Sequence, residues 1–245
     1  MSLNIKKCSI ISFSRSKNYM QFDYGIAGQS LSRVNIIKDL GVLFDTRLTF
    51  RAHMDKICTS GYSVLGFIKR RAKDLRSNDP HLTKTLYFSL VLPILEYANI
   101  IWSPYYGIHS NRIESVQKQF LLFALRDLGW NSFCLPSYDH RLLLLEMVPL
   151  SVRRESALAL LVFDLLSGKI NCPSLRARLI PNENTFNLRR IRPFKEEIHV
   201  TNYAMNEPMN RAIRTFNELQ ISPLMGRDKF KKEVLRKLSR NQTLI

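Results

Sequence analysis

No two aspartates are adjacent anywhere in this chain, and that absence excludes more than any residue present implies. Nucleotidyl transfer by two metal ions needs carboxylates that converge tightly enough to hold the attacking and leaving oxygens together. The one adjacent acidic pair, Glu196 and Glu197, follows Pro193 in a stretch without periodicity and reads as a surface pair. Glycine is sparse, with 9 residues and none in a phosphate-cradling loop, and no GxSxG elbow occurs. The four cysteines, Cys8, Cys58, Cys134 and Cys172, lie too far apart for a CxxC zinc pair and show no disulfide framework. They are expected to be reduced, intracellular core thiols. His53, His81, His109, His140 and His199 show no HExxH or paired spacing, so neither a bound metal nor another cofactor is expected. Long hydrophobic runs are also missing. Residues 85–108 carry only Glu96 as a charge, but a spanning helix would bring Glu96 and Asn99 to mid-bilayer, so a buried core helix fits better. Lys6 and Lys7 precede a short, serine-interrupted apolar run that is no secretory signal.

What the chain has is positive charge: 37 lysines and arginines against 20 acidic residues, a net +17. Such an imbalance favours a polyanion, either nucleic acid or an anionic membrane surface; the plain alternative is a solvated basic exterior with no partner. With 45% hydrophobic residues over 245 positions, the chain can bury a core as one large or two small domains.

Residues 8–50 read as strands and turns, with Gly25 and Gly28 marking turns before NIIKDLGVLF. From about 51 the period changes. Met54, Ile57, Gly61, Leu65, Ile68, Ala72 and Leu75 fall on one face of a long helix. Asp79 and Pro80 suit a helix restart, and Pro93 predicts a kink in the next helix. Asn111 and Glu114 have capping-box spacing for a third helix whose buried side is Ile113, Val116, Phe120 and Phe123, with Gly129 past its end. Further helices are predicted over 141–147, 153–166 (closed by Gly168), 208–219 and 228–240, with an irregular connection over 169–205. The fold class is therefore α+β, mainly α. It divides into an antiparallel β element (1–50), a helical subdomain (51–130) and a C-terminal helical region (131–245).

Two helices present basic faces opposite their apolar stripes. Lys69, Lys73 and Arg76 share one side of the first, beside Arg70 and Arg71; Lys229, Lys232, Arg236 and Arg240 oppose Phe230, Val234 and Leu238 on the last. Arg189, Arg190, Arg192 and Lys195 add a third cluster. Contacts from such residues to phosphates are indifferent to base sequence and weaken steeply with salt. The alternative is the charged exterior that any amphipathic helix requires. Trp102, Tyr105 and Tyr106 have the chemistry to stack on bases, although Trp102 and Trp130 near helix ends read as core anchors.

Five segments in order carry a family resemblance: SLNIKKCSIISFSR (2–15), IKDLGVLFDTRLTFRAHMDKI (37–57), SVLGFIKRRAKDL (63–75), LYFSLVLPILEYANIIWSPYY (86–106) and RIESVQKQFLLFALRDLGW (112–130). Taken together they resemble the downstream part of a jockey-like, non-LTR retrotransposon reverse transcriptase, over roughly the first 150 residues well and the rest loosely. The resemblance implies a palm edge and primer grip followed by a helical thumb that holds a template–primer duplex of RNA or DNA by its backbone. Leu3, Asn4 and Lys7 match the element after the catalytic hairpin, where a lysine is thought to assist the departing pyrophosphate. As the chain stands, Lys7 also reads as an exposed lysine flanking a strand. Lys38, Leu40, Gly41 and Val42 match the primer grip, where glycine lets backbone approach a sugar-phosphate chain; a strand glycine at a bulge is the other reading. Asp39 stands where the family often has an aromatic residue.

The family's magnesium-binding aspartates lie just upstream of the segment that opens this chain. The expectation is a truncated remnant that binds nucleic acid without polymerising, unless it works with a separate palm-containing polypeptide or the gene model is incomplete. The family suggests a nuclear location. The alternative, from a different class, is a basic helical module kept by a host to bind protein or RNA.

Overall fold

The computed structural model describes residues 4–16, 20, 22–74, 80–127, 130, 135–182 and 192–242. After a 3-10 turn at Ile5–Lys7, the N-terminal part consists of six short strands: β1 (Ser9–Ile10), β2 (Gly25–Ile26), β3 (Gln29–Ser30), β4 (Ser32–Arg33), β5 (Ile36–Asp39) and β6 (Val42–Asp45). They form three two-stranded pairs. β2–β3 and β5–β6 are antiparallel hairpins, whereas β1–β4 is parallel, which corrects the expectation of a purely antiparallel element. In the β5–β6 hairpin Asp39 pairs with Val42, which leaves Leu40 and Gly41 as a two-residue turn, both at positive φ (43° and 90°). That geometry matches the right-handed twist of the flanking strands, and it places Gly41 in a turn rather than at a bulge.

The helical part follows as α1 (Arg51–Asp74), α2 (Pro80–Leu86), a π-turn (Tyr87–Val91), α3 (Leu92–Glu96), α4 (Asn99–Trp102) and α5 (Gly107–Asp127). Met54, Ile57, Leu65, Ile68 and Ala72 are all buried, as the stripe on α1 predicted; Leu75 and Asp79 lie outside the described residues. Gly61 sits where a Cβ would come within 3.2 Å of Leu95 and 3.3 Å of Val116, so its bare backbone lets α3 and α5 close on α1. The kink predicted at Pro93 takes the form of the π-turn before it. A proline ring crowds the carbonyl four residues back, here Ser89, and one widened turn relieves that crowding.

The C-terminal part comprises α6 (Tyr138–Leu144), α7 (Leu150–Leu166), α8 (Pro173–Arg176), α9 (Asn202–Met205), α10 (Pro208–Leu219) and α11 (Arg227–Gln242). Within 169–205 the described residues hold two short helices and, between them, an isolated antiparallel bridge of Pro181 with Phe194, so that part of the connection is less irregular than its composition implies. Two hydrophobic cores result. The first gathers α1, the α2–α3 segment, α5 and α6 around Tyr87, Trp102 and Phe120. The second gathers α7, α10 and α11 around Phe163, Phe216 and Phe230, whose rings stack with centroids 4.6 and 5.9 Å apart. Each fully buried large side chain contributes about 1.5–3 kcal/mol.

A polar seam joins the cores. Glu114 is buried on α5, and its carboxylate accepts the N–H groups of Leu150 (2.9 Å) and Ser151 (3.3 Å), capping α7 from another helix. Tyr138 donates its hydroxyl to the same carboxylate. One turn further, Gln117 donates to the Val148 carbonyl (2.9 Å) and accepts from Tyr87 (3.1 Å). Beside them, the nearly buried Arg154 donates to Ser110 (2.8 Å), while its Nη1 has no hydrogen-bond partner.

Several expectations change here. α5 starts at Gly107, so Asn111 and Glu114 lie inside it, and Glu114 caps α7 instead of its own helix. On α5 Ile113, Val116 and Phe120 are buried as predicted and Gln117, Leu121 and Leu125 are buried with them, whereas Phe123 is half-buried. Trp102 is a core anchor, but Trp130 is exposed, and Gly129 lies outside the described residues. α6 starts at Tyr138 because the Ser137 hydroxyl accepts the His140 N–H. Of the cysteines only Cys58 is a buried thiol; Cys8 and Cys172 are half-exposed, and Cys134 lies outside the described residues.

Replacing Glu114 removes the α7 cap and takes from the buried Arg154 the largest of the three carboxylate charges around it, leaving Glu155 and Glu96. Glu114→Ala is expected to lower unfolding free energy by about 3 kcal/mol, and Glu114→Gln by about half as much, in urea titrations followed by circular dichroism.

Candidate nucleic-acid interface

The C-terminal half of α1 concentrates positive charge beside α5. Lys69 lies half-buried with its ammonium 5.7 Å from the Phe123 ring centre. Burial, and then the neighbouring Arg126, lower its pKa. Arg70 and Arg71 are exposed on the same end, with Arg71 leaning over Phe67 at 5.6 Å. Lys73 belongs to α1, but its side chain and all of Arg76 lie outside the described residues. The half-buried Phe123 and the exposed Phe67 thus lie against Lys69 and Arg71 at a positively charged helix end, a surface suited to phosphate oxygens.

α11 carries the second basic face. Lys229, Lys232, Arg236 and Arg240 are exposed, while Phe230, Val234 and Leu238 are buried on the opposite side against α7 and α10. Not every cation there is equally available. Arg236 forms two hydrogen bonds with Glu233, and Lys237 on the flank donates to the Leu219 carbonyl (2.7 Å), capping the C-terminus of α10. The two faces belong to helices packed on different cores. In the third cluster Arg192 pairs with Glu196 at 3.4 Å and Lys195 is exposed; Arg189 and Arg190 lie outside the described residues. Glu196 also accepts from Asn217, and Glu197 sits 3.5 Å from His199, so the acidic pair is occupied on two separate sides.

The N-terminal candidates are more scattered. Lys7 ends the first 3-10 turn and Lys38 lies on β5, both exposed. At Gly41 the group that approaches the bare backbone is Tyr97: a Cβ there would come within 3.1 Å of its ring. The Tyr97 hydroxyl donates to the Leu40 carbonyl at 2.7 Å.

A further basic and aromatic surface escapes the sequence patterns. A cleft of 780 Å³ opens between the loop after β6, the α4–α5 link and α9, lined by Arg15, Arg47, Arg51, Tyr105, Tyr106 and Tyr203 among others. Arg15 donates to the Arg47 carbonyl (3.2 and 2.9 Å) and lies over the Tyr203 ring at 4.1 Å. Asp45 shapes the rim. Its carboxylate accepts the N–H groups of Arg47 (3.0 Å), Thr49 (2.9 Å) and Phe50 (2.7 Å), holding a loop in which Leu48 and Phe50 take positive φ. Burial alone would raise the Asp45 pKa; the hydrogen bonds from Thr49, Phe50 and Arg47 outweigh it and keep the group below its usual value. The one local signal of this arrangement is Asp45 four residues before Thr49 at the start of a helix.

No protein-family model, curated protein or solved structure matches the chain. Among the described residues no helix is long and apolar enough to cross a membrane, and no group of three or more histidine, cysteine, aspartate or glutamate side chains is placed to hold a metal ion.

Because the folded Asp45 pKa lies below its ordinary 3.8, its stabilising contribution is full above that value and fades as pH falls through the lower, folded one. Asp45→Asn should therefore reduce stability at pH 7. It should reduce it progressively less at acidic pH, measured as urea midpoints of both proteins across the carboxylate range.

Proposed function

We propose that this chain binds the sugar-phosphate backbone of nucleic acid without sequence preference, in the manner of the thumb side of a non-LTR retrotransposon reverse transcriptase, which its sequence resembles. The observation that carries the binding half is the end of α1, where Lys69, close to Arg126, stands with the exposed Arg70 and Arg71, and the Phe123 and Phe67 rings lie against Lys69 and Arg71. Helices that point apolar residues inward and guanidinium or ammonium groups outward present a rigid row of charge, and rows of this kind fit a regular array of phosphates. The reverse-transcriptase half is supported by the ordered segments between residues 2 and 130.

On this reading each face meets a template–primer duplex of RNA or DNA through its backbone. Polymerisation belongs to a palm that supplies carboxylates for magnesium, carried by a separate polypeptide or by a longer form of this one. The chain alone is proposed to bind and hold, not to extend. Lys7 and Lys38 add positive charge near the β hairpins. The Tyr97 ring already fills the space over Gly41, so a close approach of nucleic acid at that glycine is not part of the proposal.

Filter-binding titrations of the full chain on a labelled RNA–DNA duplex over increasing salt test the reading. The logarithm of affinity should fall linearly with the logarithm of salt, by about 0.9 for each phosphate neutralised. Arg70→Gln with Arg71→Gln, and separately Lys229→Gln with Lys232→Gln, should each weaken binding on all sequences alike and reduce the slope by about two. Absence of binding at low salt, or a slope near zero, rejects the proposal.

A further inference from the structure

We infer that the cleft between the β6–α1 loop, the α4–α5 link and α9 is a seat for unpaired nucleotides. Bases would stack on Tyr105 and Tyr106, and phosphates would be met by Arg47 and Arg51. The inference rests on the reading of the chain as a nucleic-acid binder but uses a different surface from the basic helices.

Three observations converge on it. The first is aromatic. Tyr105 and Tyr106 are exposed side by side in the cleft, with ring centres 4.3 Å apart, immediately after Trp102 is buried as their anchor. Exposed rings that line a recess, rather than the core, offer faces for a planar ligand. The second is charge. Arg47 and Arg51 are exposed on the rim, and among the described residues neither forms an ion pair. The carboxylate that shares the lining, Glu207, is already held by Arg178 through two hydrogen bonds of 2.9 and 3.0 Å, so it does not cancel them. The third is construction. Arg15 ties the rim loop to Tyr203 by bonding the Arg47 carbonyl and covering the ring, while Asp45 fixes the same loop from behind. The walls are therefore set before any ligand arrives, which reduces the ordering cost of binding.

The pairing of rings with guanidinium groups selects the ligand class. A duplex keeps its bases stacked on one another and offers a recess only its backbone, whereas a single strand can turn its bases out to lie on aromatic side chains. The volume of 780 Å³ falls within the range of small-molecule pockets, enough for splayed nucleotides and too confined for a double helix. An acidic peptide shares the charge but has no use for the rings.

Fluorescence anisotropy with the full chain decides the matter, using a labelled oligothymidine of about ten nucleotides, an abasic oligonucleotide of equal length, a duplex and polyglutamate. The oligothymidine should bind about tenfold tighter than its abasic counterpart. Tyr105→Leu with Tyr106→Leu should abolish that advantage, bringing the two strands to equal affinity, and Tyr105→Phe with Tyr106→Phe, which keeps both rings, should retain it. Arg47→Gln with Arg51→Gln should weaken both single strands and flatten their salt dependence. Circular dichroism checks that each variant is folded. Equal affinity for the thymidine and abasic strands, indifference to the leucine pair, or polyglutamate binding as tightly as oligothymidine overturns the inference. If duplex binding persists in that case, the basic-helix proposal stands without it; loss of all nucleic-acid binding removes both.

Discussion

Everything at the centre of this molecule depends on one carboxylate crossing from one helix to the end of another. Glu114 stands on α5 within the first core, yet its oxygens satisfy the first amides of α7, which leads into the second. Helix ends leave their first N–H groups without internal partners, and α7 begins after a proline that offers no side-chain cap. The negative charge also opposes the positive end of the α7 dipole and faces the buried guanidinium of Arg154. Removing the carboxylate would unsatisfy all of these at once.

The same economy governs the rest of the charge. Carboxylates are consumed by internal pairing: Glu96 with Arg153, Asp164 with Arg227, Glu207 with Arg178 and Asp55 with Arg112. These pairs neutralise particular arginines and fix helix positions. What reaches the outer surface of α1 and α11 is then predominantly lysine and arginine. Those faces are therefore more positive than a uniform spread of the net charge would make them.

How far this was legible from sequence depended on the range of the interaction. The α1 stripe and the Phe230–Val234–Leu238 stripe of α11 follow from period alone, because one face of each helix is buried throughout. The basic faces opposite them follow by subtraction. The start of α5 was misplaced because the acid three residues after an asparagine looks local, while its real partners are 36 and 37 residues away. Trp130 misled because an aromatic near a helix end is commonly buried, and here it is not. Of the cleft only the stacking chemistry of Tyr105 and Tyr106 was legible; Arg15, Arg47 and Tyr203 share no periodicity with them and meet them only through the tertiary path of the chain.

The Tyr97 side chain has one further implication. Its hydroxyl grips the Leu40 carbonyl at the tip of the β5–β6 hairpin, while its own carbonyl receives the indole N–H of Trp102 at 2.7 Å. Leu40 projects into solvent at the far end of this chain of contacts, and Trp102 lines the cleft at the near end. One residue, Tyr97, thus ties the tip of the β5–β6 hairpin to a side chain of the cleft wall through two hydrogen bonds.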